Sequence, residues 1–195
     1  MRLFMLRHPK ASPPVDETYE SDLARPLSEI GEAQAQTRLK ALGNVKFKLV
    51  LSSPAVRCIK LAGVLAGGED WVTVHHSLVP PAPGDGGIGD AIDAQFKELG
   101  YAPLRTYLRK SDAMYWFGTR AADSIRGLLL CLNFLPGTNI LLTNHAICTE
   151  AIILGFLPKN SPFRERVLES VLGETEGFVL HLNKDVRVTN IEDIR

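Results

Sequence analysis

The sequence predicts an α/β fold, a three-layer sandwich in which a mostly parallel central sheet is flanked by helices on both faces. Three observations lead there. Short, predominantly apolar runs of strand length recur at residues 3–6, 47–51 and 139–143, the pattern of strands buried on both faces. Between them lie segments with helical start and stop signals, and strands alternating with helices argue for a parallel sheet. The 195 residues, 45% of them apolar, suffice for a sizeable core and are read as one domain spanning the whole chain.

Residues 3–6 (Leu-Phe-Met-Leu) form the first predicted strand, followed by a Pro-rich polar loop from Pro9 to about Arg25. A helix starts at Ser28, a hydroxyl N-cap with Glu29 and Glu32 at the positive end of its dipole, and Gly43-Asn44 ends it. Residues 47–51 are the second strand. Ser53 is expected to cap the next helix, with Pro54 in its first turn and an end near Leu65. Residues 71–79 alternate in part and predict a third strand, stopped by Pro80-Pro81 and a Gly/Pro-rich loop over 82–89. Helices are expected over 90–99 and 121–135, with an undecided stretch between. Residues 139–143 are a fourth strand that runs into Asn144-His145 and an apolar helix over 146–157. A last strand is expected over Gly177–Leu182.

With 22 basic against 22 acidic residues the formal charge is zero. A nucleic-acid or anionic-membrane partner would call for a basic excess or stripe, so neither is expected and any anion site must be local. Three widely spaced cysteines, Cys58, Cys131 and Cys148, suggest neither a disulfide framework nor a zinc site. They read as buried or half-buried thiols in a reducing cytoplasm. The apolar start is cut off by Arg7, His8 and Lys10 before reaching signal-peptide length, and no run approaches a membrane span.

Three predicted strand-to-helix junctions carry unusual polar residues: Arg7-His8, Ser53 to Arg57, and Asn144-His145. In an open parallel sheet such junctions share one edge, where ligands bind. Two histidines and two arginines would meet there in a cationic pocket. Arginine forks match phosphate oxygens and free amides at helix starts add positive charge, so a phosphate group is the expected guest.

Leu6-Arg7-His8-Pro9, the stretch from Arg25 to Gly31 (Arg-Pro-Leu-Ser-Glu-Ile-Gly), that from Leu51 to Arg57 (Leu-Ser-Ser-Pro-Ala-Val-Arg), and Leu142-Thr143-Asn144-His145 resemble, in order and spacing, the histidine phosphatase superfamily, also called phosphoglycerate mutase-like. The resemblance is greatest to its compact bacterial phosphatases. It implies the phosphoglycerate mutase-like fold and a phosphatase acting on a small phosphorylated substrate or a phosphorylated protein. His8 would take the phosphoryl group as phosphohistidine, and Arg7, Arg57 and His145 would hold its oxygens. Lys10, Ser53 and Asn144 would bind substrate beside them. The general acid is expected at Asp85, after the third strand, with Asp90 and Asp22 behind it as alternatives. No metal or cofactor is implied, because arginines supply the positive charge.

The chain also departs from the family's pattern. Pro9 stands where the family has glycine, which removes a backbone donor beside the nucleophile, and Asn144 replaces the usual serine. These departures keep a second reading open, a non-catalytic phosphate- or partner-binding pseudo-enzyme of the same fold. Gly84 to Gly89 matches a dinucleotide-binding string, but residues 80–83 separate it from the strand, where that fingerprint needs its first glycine. His75-His76 lacks a third ligand at helical spacing.

Overall fold

The computed structural model describes residues 1–84 and 86–195. Among these the chain runs β1 (Arg2–Arg7), α1 (Tyr19–Ala24), α2 (Glu29–Leu42), β2 (Leu49–Ser52), α3 (Val56–Ala66), β3 (Thr73–Val74), α4 (Ile88–Leu99), α5 (Leu104–Lys110), α6 (Ala113–Leu132), β4 (Asn139–Asn144), α7 (Cys148–Phe156), α8 (Arg164–Glu169), β5 (Gly177–Leu182) and β6 (Val188–Ile194). The strands form one sheet in the order β3-β2-β4-β1-β5-β6. β1 to β4 are mutually parallel, and β5 and β6 pair antiparallel beyond β1.

Alternation along the central strands explains the two apolar faces. Leu3 and Met5 of β1, with Ile140 and Leu142 of β4, join a core shared with α4 to α8. Phe4 and Leu6, with Val50 and Leu141, face the smaller core under α2 and α3. Because successive residues point to opposite sides and both sides are covered, the strands read as unbroken apolar runs. The expected three-layer sandwich with a mostly parallel sheet is therefore the observed architecture.

Local chemistry accounts for several boundaries. Ser28 caps α2 as expected, its Oγ accepting from the Gly31 N–H at 3.1 Å, and Gly43 ends the helix at φ 61°. Ser53 does not cap α3. The N-cap is Ala55, without a side-chain bond, and the Ser53 Oγ instead meets His145 Nε2 at 2.9 Å and accepts from the Ala55 N–H at 3.3 Å. The third strand shrinks from residues 71–79 to Thr73–Val74, with single 3₁₀ turns on either side, and lies on the sheet edge where Trp71 and Val74 stay exposed.

Within the expected loop 9–25, Thr18 caps the short helix α1. The undecided stretch contains α5 and the first two turns of α6, which starts at Ala113 instead of residue 121. Met114 and Phe117 bury into the core while Trp116 stays half exposed, so these aromatics pack the fold. The basic residues nearby are partly consumed by surface pairs, Arg105 with Glu165 and Glu169, and Lys110 with Glu98. β6 escaped detection because its sequence, Val-Thr-Asn-Ile-Glu-Asp-Ile, buries only Ile191 and Ile194 and keeps charges outward, as edge strands do. Among the described residues no helix is long and apolar enough to cross a membrane.

Helices α6 and α7 pack closely where Gly118 meets Ala151. A Cβ on Gly118 would overlap the Ala151 carbonyl and carbon atoms. Gly118→Ala is expected to destabilise the protein by about 1–3 kcal/mol through overpacking, and Ser28→Ala by about 1 kcal/mol through loss of the helix cap. Urea unfolding curves measure both.

Candidate active site

The carboxyl ends of β1, β2 and β4 lie side by side, with Leu6 opposite Thr143 and Ser52 beside Thr143. The residues that leave these strands open onto a cleft of about 630 Å³, a size suited to a small molecule. Arg7, His8, Lys10, Asp22, Arg57 and His145 are among its lining residues. The crevice lies where the strand-end argument put it.

His8 follows β1 directly, and its N–H donates to the Asn144 carbonyl at 2.8 Å, tying the β1 and β4 ends together. Its Nε2 accepts from Arg57 Nε at 3.2 Å, while Nδ1 lies 2.6 Å from the Pro9 carbonyl. Since Arg57 can only donate, Nε2 must carry the lone pair and Nδ1 the proton. Pro9 thus fixes the tautomer through its carbonyl, although as a proline it contributes no N–H.

Arg57, in the first turn of α3, is buried at 4% exposure. Besides His8 it donates to the Asp22 main-chain carbonyl, to Asp22 Oδ2 at 2.8 Å and to His145 Nδ1 at 3.3 Å. His145 in turn donates from Nε2 to Ser53 Oγ at 2.9 Å. The His8 and His145 rings meet edge to face, with centroids 5.3 Å apart. Burial first, then Arg57 beside it, pushes the His8 pKa down to about 3, against a smaller opposing contribution from the Pro9 carbonyl. His145 is driven well below its ordinary value by the same two causes in the same order. Both rings are therefore neutral at physiological pH.

Arg7 lies deeper. Its Nη1 donates to the Leu172 carbonyl at 2.6 Å, its guanidinium stacks on the Tyr101 ring at 4.5 Å, and its Nε is buried without a partner among the described residues. The Leu172 N–H donates to Oε1 of Glu150 at 3.1 Å, so the backbone of one residue links that carboxyl to Arg7. Burial raises the Glu150 pKa to about 7, against smaller lowering effects of backbone hydrogen bonds. Ile147 sits in a γ-turn of the strained hand, at φ 64° and ψ −46°, with the Cys148 N–H 2.7 Å from the Ala146 carbonyl. Backbone strain of this kind concentrates at sites that need an exact shape.

The structure thus brings Arg7, His8, Arg57 and His145 together. Lys10 reaches the cleft with an exposed side chain while its backbone ties the loop to α2, donating to Gln34 and accepting from Ser28. Ser53 and Asn144 are fully buried and support the histidines from behind the cleft wall. Both polar side-chain atoms of Asn144 are buried without partners among the described residues. Asp85 lies outside the described residues. Asp90 accepts from the Gly84 N–H at 2.6 Å in the loop. Asp22, the other alternative to Asp85, is the carboxylate found on Arg57.

Arg25, Tyr101 and Glu150 were not singled out as site residues. Arg25 lines the cleft and holds Asp22 at 2.9 Å. Its spacing of three from Asp22 on a short helix was the available signal. Glu150 was legible as a lone carboxylate in an otherwise apolar helix.

Comparison with known proteins agrees with this geometry. Residues 3–78 match the model of the histidine phosphatase superfamily (branch 1), and the resemblance read from the motifs is borne out. The chain has the fold of the phosphoglycerate mutase-like histidine phosphatases. It superposes on a mycobacterial glucosyl-3-phosphoglycerate phosphatase with a TM-score of 0.67 at 20% identity, covering 98% of this chain and 96% of that one. A mutant phosphoserine phosphatase from Entamoeba histolytica, solved with phosphoserine, gives 0.64 at 18% identity over 97% and 95% of the two chains. The protein histidine phosphatase SixA, solved with tungstate, gives 0.59 at 16% identity over 100% and 95%. No curated protein sequence compared with the chain matches it significantly.

Two pH effects follow. The unfolded chain binds protons at His8 and His145 that the fold refuses, so stability is expected to fall as pH drops from 6.5 toward 3. In NMR titration the ring resonances of His8 and His145 are expected to hold their neutral positions between about pH 5 and 8. Glu150 acts in the opposite sense, since its folded pKa is raised from 4.5 to about 7 and its stabilising contribution is lost as pH rises through that window. Glu150→Gln is expected to flatten that decline in urea midpoints measured from pH 4 to 8.

Proposed function

We propose that this protein is a phosphatase that hydrolyses a phosphomonoester or a protein phosphohistidine through a covalent phosphohistidine on His8. The observation that carries this reading is the Nε2 lone pair of His8, held on a neutral ring against Arg57 at 3.2 Å. An imidazole in that state attacks phosphorus without a strong base, and a covalent intermediate splits one difficult displacement into two easier ones. Arg7, Arg57 and His145 are grouped to hold the phosphoryl oxygens and stabilise charge in transit. His8 Nδ1, anchored on the Pro9 carbonyl, keeps the ring aimed while phosphate is attached.

Fixed guanidinium charges take the role that a metal ion plays in other phosphoryl-transfer sites, so the reading requires no metal. The substrate is a small phosphorylated molecule or a phosphorylated protein. The three similar structures are a sugar-phosphoglycerate phosphatase, a phosphoserine phosphatase and a protein histidine phosphatase, which supports that range. Cys58 and Cys148 are buried as expected and Cys131 is exposed against expectation, and the three free thiols fit a reducing cytoplasm. A phosphate-binding pseudo-enzyme is the second reading, favoured by Pro9, which withholds a backbone donor at the nucleophile.

Phosphate release from a panel of phosphomonoesters and a phosphohistidine protein, without added metal, distinguishes the two. His8→Ala is expected to lower turnover by roughly a thousandfold or more, and Arg57→Ala by about a hundredfold or more. Acid-labile ³²P on the wild-type protein, absent from His8→Ala, is the direct mark of the intermediate. Phosphate binding that depends on Arg7 and Arg57, without turnover of any substrate, would establish the pseudo-enzyme.

A further inference from the structure

Arg7 is a buried guanidinium whose side-chain partners are a carbonyl and an aromatic face rather than a carboxylate. The loop between α8 and β5 holds it at two points. The Glu176 carbonyl accepts from its main-chain N–H at 2.9 Å, and the Leu172 carbonyl accepts from Nη1 at 2.6 Å. That loop is tied to α7 by Glu150, which accepts from the Leu172 N–H at 3.1 Å. Glu150 is fully buried, and its Oε2 has no partner among the described residues. Accepting one backbone N–H does not call for an acid. A glutamine would accept it through the same oxygen, and a buried carboxylate with an unpaired oxygen costs stability whenever it ionises. What the acid adds is a charge that can be present or absent two hydrogen bonds away from Arg7.

We propose that Glu150 is a positioning residue for Arg7, and that the charge on its carboxyl governs how tightly Arg7 holds a dianionic phosphoryl group. The inference rests on Arg7 being a phosphoryl-binding group, as in the phosphatase reading above, and adds regulation of that site by pH. With Glu150 ionised, part of the Arg7 field acts on an internal anion, and a second anion in the cleft is repelled. With Glu150 protonated, the whole field acts on the phosphoryl group. Binding of the dianion therefore draws a proton from solvent onto Glu150. By linkage, anion affinity falls as pH rises through the range where Glu150 ionises, which burial raises to about 7.

The groups around Glu150 leave Arg7 as the charge it senses. Burial pushes the Tyr107 hydroxyl of α5 up to about 12 and the Cys148 thiol of α7 up as well, so both stay neutral. Helices α6 and α8 direct Arg126 and Arg164 to the carbonyls of Gly155 and Leu157, toward the other end of α7. The acids of α8, Glu165 and Glu169, pair with Arg105 on the surface. In the cleft itself His8 and His145 are neutral over the same range.

The test uses sulfate, which stays dianionic across the whole range and reports binding without chemistry. Titration calorimetry from about pH 6 to pH 8 is expected to show wild-type affinity falling by about tenfold and that of Glu150→Gln by less than about twofold. Equal falls in the two proteins, no fall in the wild type, or no sulfate bound by the wild type would each overturn the proposal. So would a sulfate affinity that Arg7→Ala leaves unchanged. A second measurement needs no variant. The ¹³C carboxyl resonance of Glu150 in the wild type is expected to titrate at about 7 and to move up by about one pH unit with sulfate bound, and an unmoved midpoint would overturn the proposal. If these shifts are present but no phosphate ester is turned over, the phosphatase reading fails and the role of Glu150 stands, at a non-catalytic anion site.

Discussion

The Arg57 guanidinium is a charge buried at 4% exposure, and it must be satisfied or the fold bears its full desolvation cost. It is satisfied by donating to two neutral imidazoles, a backbone carbonyl and a carboxylate, contributed by three different chain segments. That requirement orders much of what surrounds it. It fixes which nitrogen of His8 bears the proton, holds α1 over the cleft through Asp22, and presents Nδ1 of His145 as an acceptor so that Nε2 can reach Ser53. One planar, permanently charged group thereby determines two tautomers and the position of a helix.

The sheet makes this convergence possible. Parallel pairing of β1, β2 and β4 brings their carboxyl ends to one edge, so the residues that leave them emerge within hydrogen-bonding distance although they are 49 and 88 positions apart in the chain. The covering helices keep both faces dry, and the dry environment drives the two histidines neutral. The surrounding positive charge pushes in the same direction. The nucleophile's readiness is therefore a property of burial and field together.

Local signals served where a segment's structure depends on its own residues. The Ser28 cap, the Gly43 stop and the apolar runs of β1, β2 and β4 were readable because a cap, a left-handed residue and a doubly buried strand each leave a local mark. The signals failed where context overrode them. The Ser53 hydroxyl is taken by His145, so α3 starts past it without a side-chain cap, and the third strand was cut to an edge pair. The charges of β6 hid a strand whose outer side meets water. α1 was hidden in a polar loop because six residues, held by a Thr18 cap, are too short for a periodic pattern.

From the sequence alone came the fold class, the strand ends and the four residues Arg7, His8, Arg57 and His145, since residue type and position at a strand terminus suffice to place a side chain at the sheet edge. The tertiary structure alone decided that Asp22 is the carboxylate against Arg57, that Ser53 and Asn144 stand behind the cleft wall, and that Glu150 reaches Arg7 through the backbone of Leu172. Those are contacts between segments distant in sequence, set by packing and by the need to pair buried charge, and no local propensity encodes them.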